Sequence, residues 1–189
     1  MSKTQIVSGG ITDGTIATAD IADSAVTAAK TSGVGISEAD MWRVSASFAN
    51  SSNGSNEILT SNWERADTDF DKIGTGLSES SGVFTFPSTG VYLVQVNAYF
   101  YPTGANSDIR IQIRVTANNS DYNTRAEVIN GASAADRPEG MFCSAAIDVT
   151  NVSNVKFRIH TVGTTASNFW RGASDTQKFG FTSVRLGDT

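Results

Sequence analysis

SGVFTFPSTGVYLVQVNAYFY, residues 81–101, decides the fold. Val83, Phe84 and Phe86 place β-branched and aromatic residues ahead of Pro87, which has no N–H for a ladder and ends the first strand. Ser88, Thr89 and Gly90 supply turn chemistry, and Gly90 is free to take positive φ. From Val91 the chain runs eleven residues without a breaker. Tyr92, Val94, Val96, Ala98 and Phe100 fall on one face, and Val91, Leu93, Gln95, Asn97, Tyr99 and Tyr101 on the other. A strand with one apolar and one mixed face is expected to be covered on both sides, the second by polar groups or another subunit.

Strand signals continue outward from this stretch. MWRVSASF at 41–48 precedes a Ser- and Asn-rich loop at 49–56, and residues 58–73 are mixed, with Trp63, Phe70 and Ile73 as anchors. IRIQIRV at 109–115 alternates cleanly, with Ile109, Ile111, Ile113 and Val115 inward. Further strands are expected at 125–129, 141–149, 155–162 and 178–186, and no helical period shows between 41 and 189. Turn signals about every 8–12 residues indicate a sandwich or jelly roll.

Composition narrows the function classes. With 189 residues there is room for one domain and an appendage. A net charge of −5 argues against nucleic-acid binding, which needs a basic footprint. No apolar run approaches the roughly 18 residues of a membrane span, so no membrane insertion is expected. MSKTQIVSGG carries no secretory h-region, so synthesis in a cytoplasm is expected.

Residues 1–37 differ from the rest. They contain no aromatic residue, and Ile6, Ile11, Ile16, Ile21 and Val26 recur every five positions. That spacing fits neither a helix nor a strand. Ordering costs about 1–2 kcal/mol per residue, while each buried Ile contributes about 1.5–3 kcal/mol. Such a segment therefore orders against copies of itself or a docking partner, or remains a linker. DGTIATADIADSAVTAAK, residues 13–30, also resembles the low-complexity repeats of bacteriophage tail fibres and other appendages.

A second resemblance covers residues 41–189. Asp71-Lys72-Ile73, Ser81-Gly82-Val83-Phe84-Thr85-Phe86-Pro87 and Gly90-Val91-Tyr92-Leu93 resemble the globular heads of the complement first component and their tumour-necrosis-factor-like relatives. Val155-x-Phe157-x-Ile159 and Phe179-Gly180-Phe181 follow in the same order. The departure is that Phe179 and Phe181 lie two apart and share a face, whereas the family's closing pair is three apart. The resemblance implies an all-β jelly roll of about ten antiparallel strands, assembled as a trimer. Tyr99, Tyr101, Phe157, His160 and Phe181 are the expected trimer interface.

Catalytic chemistry is poorly supplied. The chain has one His and one Cys, and Cys143 within MFCSAAIDV reads as a small core residue. His160 reads as a surface or interface side chain, with three copies at an axis as the metal alternative. Asp67, Asp69 and Asp71 have calcium-loop spacing but lack the Gly and distal Glu of an EF-hand, so a solvated acidic loop is the alternative. Glu79 with Glu57 or Glu64 has no order that would make a glycosidase pair. Tyr122, Trp170 and Arg171 are expected in loops, as ligand-stacking groups or as loop-closing core.

The expectation is a non-enzymatic virion protein of a tailed bacteriophage without a cofactor. A jelly-roll head, residues 38–189, would self-associate as a homotrimer, and the stem, residues 1–37, would join it to a major capsid or other virion protein. Capsid-surface fibre or decoration is favoured by the short stem. The alternatives are a short tail fibre recognising a host surface glycan and a bacterial lectin-like module.

Overall fold

A computed structural model of the protein describes residues 16–22, 25–26, 35–51, 54–67, 70–163 and 169–189. The chain divides into two units, Met1–Gly35 and Ile36–Thr189. In the first, a single 3-10 turn spans Thr18–Asp20, closed by the Ala17 N–H donating to the Asp20 carboxylate at 2.9 Å. Ile16, Ile21 and Val26 are 52%, 43% and 54% exposed there. Ile6 and Ile11 lie outside the described residues.

The second unit is an all-β jelly roll. Among the described residues its strands are β1 (Ala39–Val44), β2 (Ala46–Phe48), β3 (Asn56–Ile58), β4 (Trp63–Arg65), β5 (Lys72–Ile73), β6 (Ser78–Ser80) and β7 (Val83–Thr85). The longer ones follow: β8 (Gly90–Tyr101), β9 (Asn106–Thr116), β10 (Asn123–Ala132), β11 (Glu139–Val149), β12 (Lys156–Val162), β13 (Phe169–Ala173) and β14 (Gly180–Gly187). All pairs are antiparallel, in two sheets. In the larger sheet, β8 is flanked by β11 along one edge and by β14 and β13 end to end along the other. β1 continues the sheet beyond β14, with β4 and β5 outside it, and β2 lies beside β13. The smaller sheet runs β10-β9-β12, then β7 and β6, with β3 also on β12.

Fourteen strands stand where about ten were expected, because several edge segments are broken. The expected strand at 41–48 is divided at Ser45 into β1 and β2, each with its own partner. β6 and β7 form a hairpin closed by two residues, Ser81 and Gly82, both at positive φ (50° and 79°) as a primed turn requires. A Cβ on Gly82 would collide with the Leu59 carbonyl, so this corner needs glycine. β10 runs ten residues instead of five because β9 pairs it throughout, with bulges at Thr124/Ala126 and Asn130/Ala132.

β8 shows the expected alternation, with Tyr92, Val94, Val96, Ala98 and Phe100 buried and their neighbours partly covered or exposed. Between the sheets, Phe84 meets Trp42, Trp63, Phe157 and Phe181 at ring-centroid distances of 5.4, 5.1, 5.1 and 4.7 Å. The two-residue spacing of Phe179 and Phe181 proves compatible with the fold. Both are fully buried, Phe181 against Phe84 and Phe157, and Phe179 against Phe48, Trp63 and Trp170. Buried Asp40 ties β1 to β4 and the chain before β6, accepting from Trp42 Nε1, Arg65 Nε and the Leu77 N–H at 3.0, 3.0 and 2.7 Å. Replacing Phe84 by Ala removes the ring common to these contacts. We expect Phe84→Ala to lower unfolding free energy by about 3–5 kcal/mol, read by denaturant titration.

Candidate functional site: the outer face of the larger sheet

The side of β8 turned away from the core carries Val91, Leu93, Gln95, Asn97, Tyr99 and Tyr101, and β8 has no charged residue. Register sets Ala146 beside Leu93, Ser144 beside Gln95 and Phe142 beside Asn97, with Thr182 and Val184 of β14 beyond Gln95 and Leu93. Directly opposite residues share a face, so an uncharged patch forms across three strands from Leu93 to Asn97, with exposed Asp148 opposite Val91 at its margin. Phe142 is 56% exposed within it. A cavity of about 660 Å³ lies at one end, with Asn97, Tyr99, Phe142, Arg171 and Lys178 in its lining.

That end is braced by an aromatic stack. Tyr101 and Phe169 lie nearly parallel with centroids 5.6 Å apart, and the Arg171 guanidinium sits 5.1 and 5.0 Å from the two rings. The Tyr101 hydroxyl donates to Asp136 Oδ1 at 2.9 Å, and that carboxylate pushes the phenol pKa up. Tyr99, Tyr101 and Arg171 are thus brought together at one surface.

Other expected site residues lie elsewhere. Phe157 and Phe181 were expected at an interface, but both are fully buried between the sheets. Trp170 was expected in a loop, yet it lies in β13, fully buried, with Nε1 donating to Asn50 Oδ1 at 3.1 Å. It closes the core under Phe48 and Phe100. Cys143 is buried in β11, and desolvation raises its thiol pKa to about 11, which disfavours the thiolate.

His160, expected at the surface or an interface, is only 5% exposed and belongs to the smaller sheet. Its Nδ1 lies 2.8 Å from Asn56 Oδ1, an intrachain partner that occupies one ring nitrogen. Burial, then the neighbouring Arg114 and Arg158 charges, lower its pKa to about 4. Tyr122 is half-buried with the Arg158 guanidinium 3.9 Å over its ring.

Asp67 is engaged by Arg43 at 2.8 Å and Asp71 is exposed, while Asp69 lies outside the described residues. Among the described residues no three His, Cys, Asp or Glu side chains are grouped to hold a metal. Glu57 accepts from the Ser51 N–H, Glu64 from Arg43 and Glu79 from the Gly82 N–H, three separate structural tasks. Sequence reasoning missed Phe142 as a surface group. Its signal was the alternation of Met141, Cys143, Ala145 and Ile147 inward, which turns Phe142 outward.

No protein-family model and no curated protein matches the chain. Solved structures are similar in fold. Eiger TNF from S. frugiperda aligns over 80% of this chain and 93% of its own, with TM-score 0.58 and 17% identity. Murine APRIL at pH 5.0 aligns over 79% of this chain and 99% of its own, with TM-score 0.57 and 11% identity. The domain is a jelly roll like that of tumour-necrosis-factor proteins.

His160 makes the fold sensitive to acid. Its folded pKa of about 4 lies below the ordinary 6.5, so between those values the unfolded chain binds a proton that the folded chain does not. Stability therefore falls as pH falls through that window. We expect His160→Gln to flatten this part of the dependence of Tm on pH, measured by calorimetry from neutral to acid pH.

Proposed function

We propose that this chain is a structural, non-catalytic virion protein of a tailed bacteriophage, a capsid-surface fibre or decoration protein. The jelly roll would form a homotrimer through the outer face of β8, β11 and β14. The N-terminal segment, residues 1–37, would attach it to a capsid or other virion protein. The observation that carries the self-association is the uncharged face around Leu93, Gln95 and Phe142, in a chain of net charge −5. Interface centres are depleted in charge and enriched in aromatic residues. The TNF-like fold of the neighbours fits the trimer that the sequence resemblance implies.

Attachment rests on the five-residue period of Ile6, Ile11, Ile16, Ile21 and Val26. Ile16, Ile21 and Val26 present their side chains to solvent in the single chain. Apolar side chains held at a fixed interval are ready to be covered by an acceptor surface. The non-catalytic reading is supported by the separation of the single His and single Cys onto different sheets, each buried. Made in a host cytoplasm, the protein would act on the particle. Glycan recognition has less to stand on, since Trp170 is buried in the core.

Two variants separate the two surfaces. Leu93→Asp places a carboxylate in the proposed interface, where burial without a partner is costly, and should give a folded monomer by light scattering. Ile16→Asp should leave the trimer intact but abolish co-purification with particles that lack the native protein. Ile16→Asp binding such particles as well as the natural chain contradicts the attachment role.

A further inference from the structure

The outward side of the smaller sheet has the opposite character. β9 and β12 pair antiparallel with Arg158 directly opposite Arg114 and His160 directly opposite Gln112. Arg158 and His160 are two residues apart on one strand, so they share the face that Arg114 occupies. Like charges directly opposite on a sheet are destabilising unless something neutralises them. Among the described residues, neither Arg114 nor Arg158 has a carboxylate in an ion pair.

The groups facing this pair are otherwise committed. Arg114 Nε donates to Gln112 Oε1 at 2.8 Å, and Arg158 lies over Tyr122 from the loop ahead of β10. Two acids share this face: Glu127 of β10 accepts from Gln112 Nε2 and lies 3.7 Å from Arg110 of β9, and Asp108 of β9 accepts from Arg110 Nη2 at 2.8 Å. Lys156 of β12 adds another positive charge on the same side. Glu57 of β3 sits opposite Thr161, on the other face. Among the described residues, two buried nitrogens of this cluster have no hydrogen-bond partner, Arg158 Nε and His160 Nε2. An orphaned buried donor such as Arg158 Nε costs free energy unless a ligand accepts from it.

We propose that Arg114, Arg158 and His160 form a binding site for a compact oxyanion, a carboxylate, sulfate or phosphate, such as an acidic sugar carries. Guanidinium groups bind such anions through paired, charge-assisted hydrogen bonds. His160 couples the site to protons. Asn56 directs its amide nitrogen to Gln112 Oε1 at 3.4 Å and its Oδ1 to the ring, so Nδ1 carries the proton of the neutral imidazole. Nε2 then presents a lone pair, and only the protonated ring donates to an anion there. Anion binding therefore raises the His160 pKa, and by reciprocity acidification tightens anion binding. The site stands apart from the proposed trimer face and does not depend on it.

The chain contains one His, so its imidazole signals in nuclear magnetic resonance report this site alone. The full-length protein is titrated with sodium sulfate, sodium glucuronate, neutral glucose and a sodium chloride control. Sulfate and glucuronate should shift the ring signals saturably and raise the titration midpoint from about 4, while glucose and chloride do neither. Binding should tighten from neutral to mildly acidic pH. Arg158→Gln should weaken it by about tenfold or more, the scale of one charge-assisted hydrogen bond, with Arg158→Lys intermediate. Glucuronate binding tighter than sulfate supports the site and assigns it to an acidic sugar; equal binding supports it as a bare oxyanion site. Ring signals and midpoint unmoved by both anions in the natural protein overturn the proposal. So does a response undiminished in the Arg114→Gln/Arg158→Gln variant.

Discussion

One phenyl ring, Phe84, holds the two sheets in register. It belongs to the smaller sheet, yet three of its ring neighbours, Trp42, Trp63 and Phe181, come from the larger one. Phe157, stacked at 18° on its other side, extends the contact back into its own sheet. Offset and edge-on arrangements of this kind add to simple area burial and fix side-chain orientation. In the larger sheet β8 lies between β11 on one edge and β13 and β14 on the other, with one face inward. Everything that distinguishes the outer faces follows from that placement.

The two outer faces then diverge in chemistry. Over the larger sheet, β8 contributes no charge, and the aromatic groups Phe142 and Tyr99 border a cavity whose lining also holds Arg171 and Lys178. Over the smaller sheet, the Arg114 and Arg158 charges act on a buried His160, and Arg110 of the same face is paired with Asp108 and Glu127. An uncharged sheet face favours contact with another protein surface, whereas unneutralised guanidiniums favour an anion. A jelly roll of this size thus offers two separate recognition surfaces on one core.

Much of this was legible in the sequence. Residues 81–101 declare two strands, a corner and a period of two, because Pro87 and Gly90 punctuate an otherwise unbroken apolar alternation. What failed was the assignment of rings to surfaces. Phe157 and Phe181 sit on strands whose inward phase depends on partners far away in sequence, so local composition could not place them in the core. Trp170 was hidden because FWRGA is too short and Gly-containing to read as a strand until Phe48 and Phe100 stack on it. His160 was misplaced because its alternation is outward, and its burial comes from surrounding polar side chains that no periodicity encodes. The Arg114–Arg158 pairing likewise depends on register across two strands.

The trimer proposed above requires that the outer face of β8, β11 and β14 around Leu93, Gln95 and Phe142 be covered by two further copies of the chain. Sedimentation equilibrium of the unmodified protein at micromolar concentration measures this without perturbing any side chain. Burial of that face predicts one species at three times the 19.9 kDa chain mass. A single species at the mass of one chain would leave the face open to water and contradict it.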